Sequence, residues 1–452
     1  MYPIAGALPV RSNIFLKLEN LQPSGSFKSR GIGNMMRRAL LAHQAASTST
    51  STSTTKADAA VVDFADSKND EDDARNNDPA TVHFYISSGG NAGLACATAA
   101  AALSRRDGAS PCTCTIFVPV TTPAHTISKL RGLGAVVIQV GSDWAVTDRY
   151  LRAEMRAAHG GFTVGIDGSG VGGGDGEDTD AGVEEAGVKP VDVDVSMVKV
   201  KRKAGVGVYV PPFDHPHVWE GASTIVDEIV AQTAGPLKRL VATSSTSSPT
   251  AGGGNSGRID TIVCSVGGGG LLNGIMEGIE RHFSGPADSD SDPDADKRQK
   301  QRPRVLAVET AGADSLNQSV RAGKLVTLPA ITSVATSLGA VRVSERAFQW
   351  ATTTTTNTTK ATAQPLVTSH VVSDADAVRG SVRFADDARM LVEVACGAAI
   401  APVYNGDLRR TLGGAGLDDA EWARRNVVLV VCGGSNVTLG LLGAYRERFG
   451  VE

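Results

Sequence analysis

The chain has 452 residues, 41% hydrophobic and 20% charged, enough to bury a sizeable core and to form two or three domains. A formal net charge of -4 carries no electrostatic footprint for nucleic acid or a membrane surface. No stretch approaches the ~20 apolar residues that span a bilayer, residues 1–10 lack the basic start and apolar core of a secretory signal, and the six cysteines are too sparse for a disulfide framework, so a cytoplasmic protein is expected.

In chain order, Leu16-Lys17-Leu18-Glu19-Asn20 reads as a short strand, which Pro23 and Gly25 turn into an apolar helix beginning near Ser29. Lys28 is thereby held at a helix mouth, with the small residues Ser24, Gly25 and Ser26 leaving room beside it. A lysine that forms a Schiff base needs a positioned, partly unprotonated amine, and a rigid seat supplies the position. From about 45 to 79 the chain runs through Ser/Thr repeats and Asp/Asn-rich sequence with almost no apolar period, so a disordered insertion is expected. A strand over 82–86 leads into Ser87-Ser88-Gly89-Gly90-Asn91-Ala92-Gly93 and an alanine-rich helix over about 94–105. A strand (114–120), a helix (124–133), a strand (135–140) and a helix (143–158) follow. Cys112 and Cys114 read as strand residues rather than half a metal site, because no second Cys/His pair at ligand spacing accompanies them.

Residues 168–205 are rich in glycine, acid and valine, and the acidic glycine run 172–178 lacks the spaced ligands of a calcium loop, so a solvated insertion is expected. The alternation then resumes with a strand (206–210), a helix (219–232), a strand (259–266), a helix (271–281) and a strand (305–308). Further polar insertions are expected at about 243–257, 284–302 and 352–364. The tail gives a helix (386–404), a strand (427–431) and a short helix after Asn436. Strands alternating with helices of this length predict an α/β fold with parallel sheets covered on both faces.

Three junctions carry chemistry. Val266-Gly267-Gly268-Gly269-Gly270-Leu271 sits where a strand meets a helix, a place where backbone amides and a helix N-terminus hold phosphate. No Lys-Ser/Thr follows as a P-loop requires, and the spacing does not fit the dinucleotide fingerprint. Four successive glycines are costly in chain entropy and favour close backbone approach. The amides of Ser87 to Gly93 suit a carboxylate, although Ser88 or Asn91 as a plain helix cap explains the same residues. Val431-Cys432-Gly433-Gly434-Ser435-Asn436 closes the third junction, where Cys432 alone reads as a core thiol.

These segments, together with the stretch from Leu18 to Gly31, occur in the order found in the serine and threonine dehydratases and resemble them. That family belongs to the second fold type of pyridoxal phosphate enzymes. The resemblance covers roughly three quarters of the chain. It implies a two-domain fold, with residues 27–162 as a small domain inserted in a large cofactor domain of residues 1–26 and 163–452. It implies pyridoxal-phosphate-dependent elimination of water from L-serine, and L-threonine by extension, giving pyruvate or 2-oxobutanoate plus ammonia. A racemase or β-replacement synthase of the same fold, or an inactive binding relative, is the alternative.

By the same resemblance Lys28 holds the cofactor and removes the α-proton, and Phe27 packs on the cofactor ring. Gly267, Gly268, Gly269, Gly270 and Leu271 bind the phosphate, which is also the candidate proton donor to the leaving hydroxide. Asn91 bonds the ring hydroxyl, and Cys432 faces the pyridine nitrogen. Ser87, Ser88, Gly89, Asn91 and Ala92 take the substrate carboxylate. Gly267, Glu309, Ala313, Leu338 and Ala340 match positions that hold a monovalent cation, usually potassium, although Glu309 also reads as a helix-start carboxylate with no ion. Family members are commonly homodimers. The chain departs from the pattern in having only about a dozen residues ahead of the strand at Ile14 and in Val394 where proline is usual, and a C-terminal effector-binding domain of the kind fused to biosynthetic threonine dehydratases is not expected.

Overall fold

The computed structural model describes residues 13–50, 81–104, 112–159, 163–164, 204–237, 258–284, 302–353, 365–413 and 418–452. Apart from the edge residues 204–205, 284, 302 and 352–353, the insertions expected at 168–205, 243–257, 284–302 and 352–364, the acidic glycine run 172–178, and most of that expected at 45–79, lie outside these residues. The first residues of the last are an exception, because helix α1 runs on to Thr50 and takes in Ala45 and Ala46.

Along the chain come β1 (Asn13–Leu18), α1 (Lys28–Thr50), β2 (Val82–Ser87), α2 (Asn91–Leu103), β3 (Cys112–Val118) and α3 (Ala124–Gly132). Next are β4 (Val136–Gln139), α4 (Trp144–His159), β5 (Thr163–Val164), β6 (Val206–Tyr209) and α5 (Pro216–Ala234). Then follow β7 (Thr261–Ser265), α6 (Gly270–Phe283), β8 (Arg304–Thr310), α7 (Ser315–Ala322), α8 (Glu345–Thr352) and β9 (Val367–Val372). The last elements are α9 (Asp374–Ala388), α10 (Val394–Asn405), α11 (Asp407–Gly413), α12 (Asp419–Ala423), β10 (Asn426–Val431) and α13 (Leu439–Arg448).

The chain divides into two compact units, Met1–Gly31 with Phe213–Glu452, and Ile32–Pro212. The larger holds a five-stranded sheet in the order β1-β10-β7-β8-β9, every pair parallel. Its inner strands β10 and β7 are buried at every residue, as strands must be when helices cover both faces. The smaller unit has its own parallel sheet, β4-β3-β2-β6-β5.

The division differs from the boundaries expected at 26/27 and 162/163. β6 pairs with β2, and β5 with β6, so the chain past residue 163 still belongs to the smaller sheet. At the other end the cut falls inside α1, between Gly31 and Ile32. The single helix expected over 386–404 is two helices. Arg389, at φ 58°, ends α9, and the chain re-enters a helix after Glu393. Val394 is the first residue of α10, a position where proline is tolerated because its N–H would have no helical partner. β9 escaped the sequence reading because Ser369 and His370 interrupt its apolar run at the sheet edge.

Candidate active site

All strands of the larger sheet run the same way, so the segments that follow them emerge at one edge, where open parallel sheets bind ligands. β1, β10 and β7 are neighbours, and their exits are the lysine stretch, the cysteine motif and the glycine loop. The first two are stitched together. Ser26 and Gly433 form an antiparallel bridge, Phe27 N donates to Cys432 O at 3.1 Å, Gly434 N donates to Gly25 O at 2.9 Å, and Ser435 Oγ donates to Ser24 O at 3.0 Å.

Lys28, the first residue of α1, is set by this stitching. Its ammonium lies 5.2 Å from the Phe27 ring centroid and 5.9 Å from that of Phe213. Burial pulls its pKa down from 10.5 to about 8, against an opposing influence from Cys432. Desolvation disfavours an ammonium because the charge loses its water, so a fraction of the amine is free near neutral pH. The Cys432 thiol is buried and pushed up, first by a hydrogen bond with Cys396 and then by its surroundings, which keeps it neutral. It faces Ser265 Oγ at 3.9 Å, and Ser265 donates to Ala395 O at 2.7 Å.

The glycine loop joins β7 to α6. Gly269 is the residue ahead of the helix and adopts φ 94°, which side-chain-bearing residues rarely take. A Cβ on Gly268 would lie 2.4 Å from the Phe213 ring, so here the loop is packed to its backbone. Gly267 lies against the backbone of Leu338, and Leu271 is buried in the first turn of α6. Gly268 O accepts from Ser344 N at 3.1 Å, and Ser344 caps α8 through Ala347 N.

This edge fits a cofactor that carries a phosphate and a ring. Ser26 Oγ and Asn273 Oδ1 are buried acceptors with no partner among the described residues, whereas buried polar atoms are nearly always satisfied. The loop without side chains leads into the amino end of a 14-residue helix, whose dipole favours an anion.

The remaining expected ligands lie in the smaller unit. Ser87 ends β2, the central strand, and its buried Oγ has no partner among the described residues. Trp144 Nε1 donates to Ser87 O at 2.9 Å, and Gly90 N donates to Ser88 Oγ at 3.3 Å. The residue ahead of α2 is Gly90, without a side-chain cap, so neither Ser88 nor Asn91 is the plain helix cap that the sequence allowed. Asn91 and Ala92 open α2, and Gly89 lies against Thr122 and Val118.

Of the expected cation positions, Glu309 is wholly buried, and its two oxygens accept from Leu316 N and Asn317 N, each at 2.8 Å. Its carboxyl is pushed up to about 8 by burial, against those two amides. These two bonds place it over the first turn of α7. Thr310 bridges to Ala313, and Leu338 O accepts from Ala340 N at 2.7 Å.

Phe213 carried no expectation although it backs both Lys28 and the glycine loop. Its signal was the block Pro211-Pro212-Phe213-Asp214-His215-Pro216, which also resembles the dehydratases but gave Phe213 no role.

The family model described as "Pyridoxal-phosphate dependent enzyme" matches residues 3–170 and 183–433. An L-serine dehydratase of Saccharomyces cerevisiae is 32% identical over 427 residues, 94% of this chain and 88% of that protein. An L-serine dehydratase/L-threonine deaminase of Bos taurus is 32% identical over 438 residues, 97% of this chain and 90% of that one. Among solved structures, a fungal L-serine ammonia-lyase from Rhizomucor miehei is similar with a TM-score of 0.58 and 25% identity, covering 99% of this chain and 100% of that one. This chain belongs to the family of pyridoxal-phosphate-dependent enzymes.

Proposed function

We propose that this protein is a pyridoxal-phosphate-dependent L-serine dehydratase, converting L-serine to pyruvate and ammonia, with L-threonine as a second substrate giving 2-oxobutanoate. The observation that carries the reading is Lys28, with its lowered ammonium, beside a neutral buried Cys432 at the carboxyl edge of the sheet. Likeness over nearly the whole chain to L-serine dehydratases supports it.

In this reading Gly267 to Gly270 and Leu271 hold the cofactor phosphate by backbone amides, Phe27 flanks the ring and Asn91 bonds its hydroxyl. The bound cofactor supplies an electron sink for the pair left when the α-proton departs. Lys28 takes that proton at Nζ, for which an amine with a pKa near 8 is well matched. Ser87, Ser88, Gly89, Asn91 and Ala92 orient the substrate carboxylate. Cys432 sets the ring nitrogen's environment.

A coupled assay for 2-oxo acid tests the whole. Serine is turned over, and serine methyl ester is at least about tenfold worse in kcat/KM, since a neutral ester forgoes charge-assisted bonds of ~1.5–3 kcal/mol each. Absence of 2-oxo acid from the protein loaded with cofactor rejects the function, and equal efficiency on the ester rejects the carboxylate loop. A monovalent cation at Gly267, Glu309, Ala313, Leu338 and Ala340 is part of the same proposal, as are a homodimer and a cytoplasmic location. Potassium-free buffer, sedimentation and cell fractionation test these in turn.

Cys432 separates elimination from the other outcomes open to this fold. A thiol pushed above its ordinary range stays neutral and would not hold a proton on the ring nitrogen, so the bound cofactor would be a weaker electron sink and elimination would be favoured over the fold's other outcomes. Cys432→Asp places a carboxylate there, changes the cofactor's absorption and raises racemisation or transamination relative to pyruvate, whereas Cys432→Ser keeps pyruvate as the product. Spectra and product ratios unchanged in both variants make Cys432 a core thiol.

A further inference from the structure

Two residues beyond Lys28, Arg30 makes a contact set that the reaction scheme above does not use. Its guanidinium lies between two carboxylates. Nε donates to Glu19 Oε2 at 2.7 Å and Nη2 to Glu19 Oε1 at 2.8 Å. On the other side Nη1 and Nη2 donate to the two oxygens of Glu228 at 2.7 and 2.8 Å, and Nη1 also reaches Thr224 Oγ1 at 3.0 Å. All five N–H donors of the guanidinium are thus engaged. Lys17 pairs with Glu228 and stands 3.9 Å from Glu19, so two cations and two carboxylates balance.

Glu19 follows β1 and is wholly buried, Arg30 sits in the first turn of α1, and Thr224 and Glu228 belong to α5. The first turn of α1 carries Lys28 and Arg30 and no acidic residue, an unfavourable charge placement at the positive end of a helix dipole. Glu19 and Glu228 supply the missing negative charge from outside the helix. Glu19 is buried and Glu228 half-exposed, so the desolvation of Glu19 and Arg30 offsets much of their attraction, but the two-sided pairing fixes the guanidinium's geometry. Ser24 and Ser29 pin the other side of Lys28 through Ser24 N to Ser29 Oγ at 3.0 Å.

We propose that Arg30 is a positioning residue: clamped by Glu19 and Glu228, it fixes the first turn of α1 and so aims the Lys28 amine. This rests on the reading of Lys28 as the cofactor-bearing base. The titratable and charged groups concerned are Cys432 beside Lys28, Glu393 beside Cys432, and Lys17, Glu19 and Glu228 around Arg30. A lysine at position 30 has three donors on one nitrogen and cannot bridge both carboxylates side-on.

The test compares the native holoenzyme with Arg30→Met, Arg30→Lys, Glu228→Gln and a control, Arg281→Met, which removes the ion pair with Asp227 between α6 and α5. Kinetics on serine at saturating cofactor are paired with a pH titration of the visible absorption of the lysine-linked cofactor. Arg30→Met lowers kcat about 10- to 100-fold with KM nearly unchanged, as expected for a misaimed reacting group, and Arg30→Lys recovers part of the loss. The midpoint of the pH titration moves up in Arg30→Met, which leaves uncompensated negative charge, and down in Glu228→Gln, which removes one. Arg281→Met leaves both readouts at native values. Native kcat per bound cofactor and an unmoved midpoint in Arg30→Met, with only a lower melting temperature, reduce the clamp to a structural role and overturn the proposal. Should Arg30→Met fail to fold, Arg30→Lys and Glu228→Gln decide by the same two readouts. A native enzyme that binds the cofactor but makes no 2-oxo acid sinks the dehydratase reading instead, and the titration midpoints still decide the role of Arg30.

Discussion

Lys28→Ala protein loses 2-oxo acid formation from serine by at least about 10²- to 10⁴-fold, the contribution of a positioned acid–base group, and loses the visible band of lysine-linked cofactor. The physical cause is that the amine at the mouth of α1 is the group both near enough to Phe27 and Phe213 and sufficiently unprotonated to serve. The native enzyme supplies the companion measurement. Because the ammonium is lowered from 10.5 to about 8, the amine becomes available as pH rises, so the rate of cofactor attachment climbs about tenfold per pH unit below 8 and levels above it. A lysine with an ordinary pKa keeps climbing to much higher pH. Attachment that still rises steeply at pH 9, or a borohydride-trapped cofactor adduct retained by Lys28→Ala, rejects the assignment.

Gly268→Val has the second largest expected effect. The new Cβ falls 2.4 Å from the Phe213 ring, so either the ring or the loop moves. Overpacking of this kind costs about 1–3 kcal/mol, and here it falls on the segment that carries the phosphate-binding amides and on the ring beside Lys28. Cofactor affinity drops by about 5- to 150-fold, measured by fluorescence titration of the protein stripped of cofactor, and excess pyridoxal phosphate restores part of the activity. Native affinity in this variant removes the loop from the cofactor site.

Much of the larger sheet was legible because its strands are unbroken apolar runs. Asn426–Val431 and Thr261–Ser265 are buried on both faces, and a strand in that position tolerates almost nothing but apolar residues. The edge strand β9 was not, since it ends the strand order among the described residues and admits Ser369 and His370, which find polar partners in Asn317 and Asp407. The turn at Arg389 was equally hidden, because a lone left-handed arginine between two helices leaves no compositional mark.

By itself the sequence determined the α/β alternation, the place of Lys28 at a helix mouth, and the glycine and cysteine motifs, since each follows from local pattern or motif. Tertiary structure decided what those residues meet. Cys432 and Lys28 are 404 positions apart in the chain, and only the adjacency of β1 and β10 puts the thiol next to the amine. Phe213 behind the glycine loop, Glu309 over the first turn of α7, and the five-donor clamp on Arg30 belong to the same class. The reason is the same throughout: strand order and helix docking are set by burial of apolar surface over the whole core, a sum that no local stretch of sequence contains.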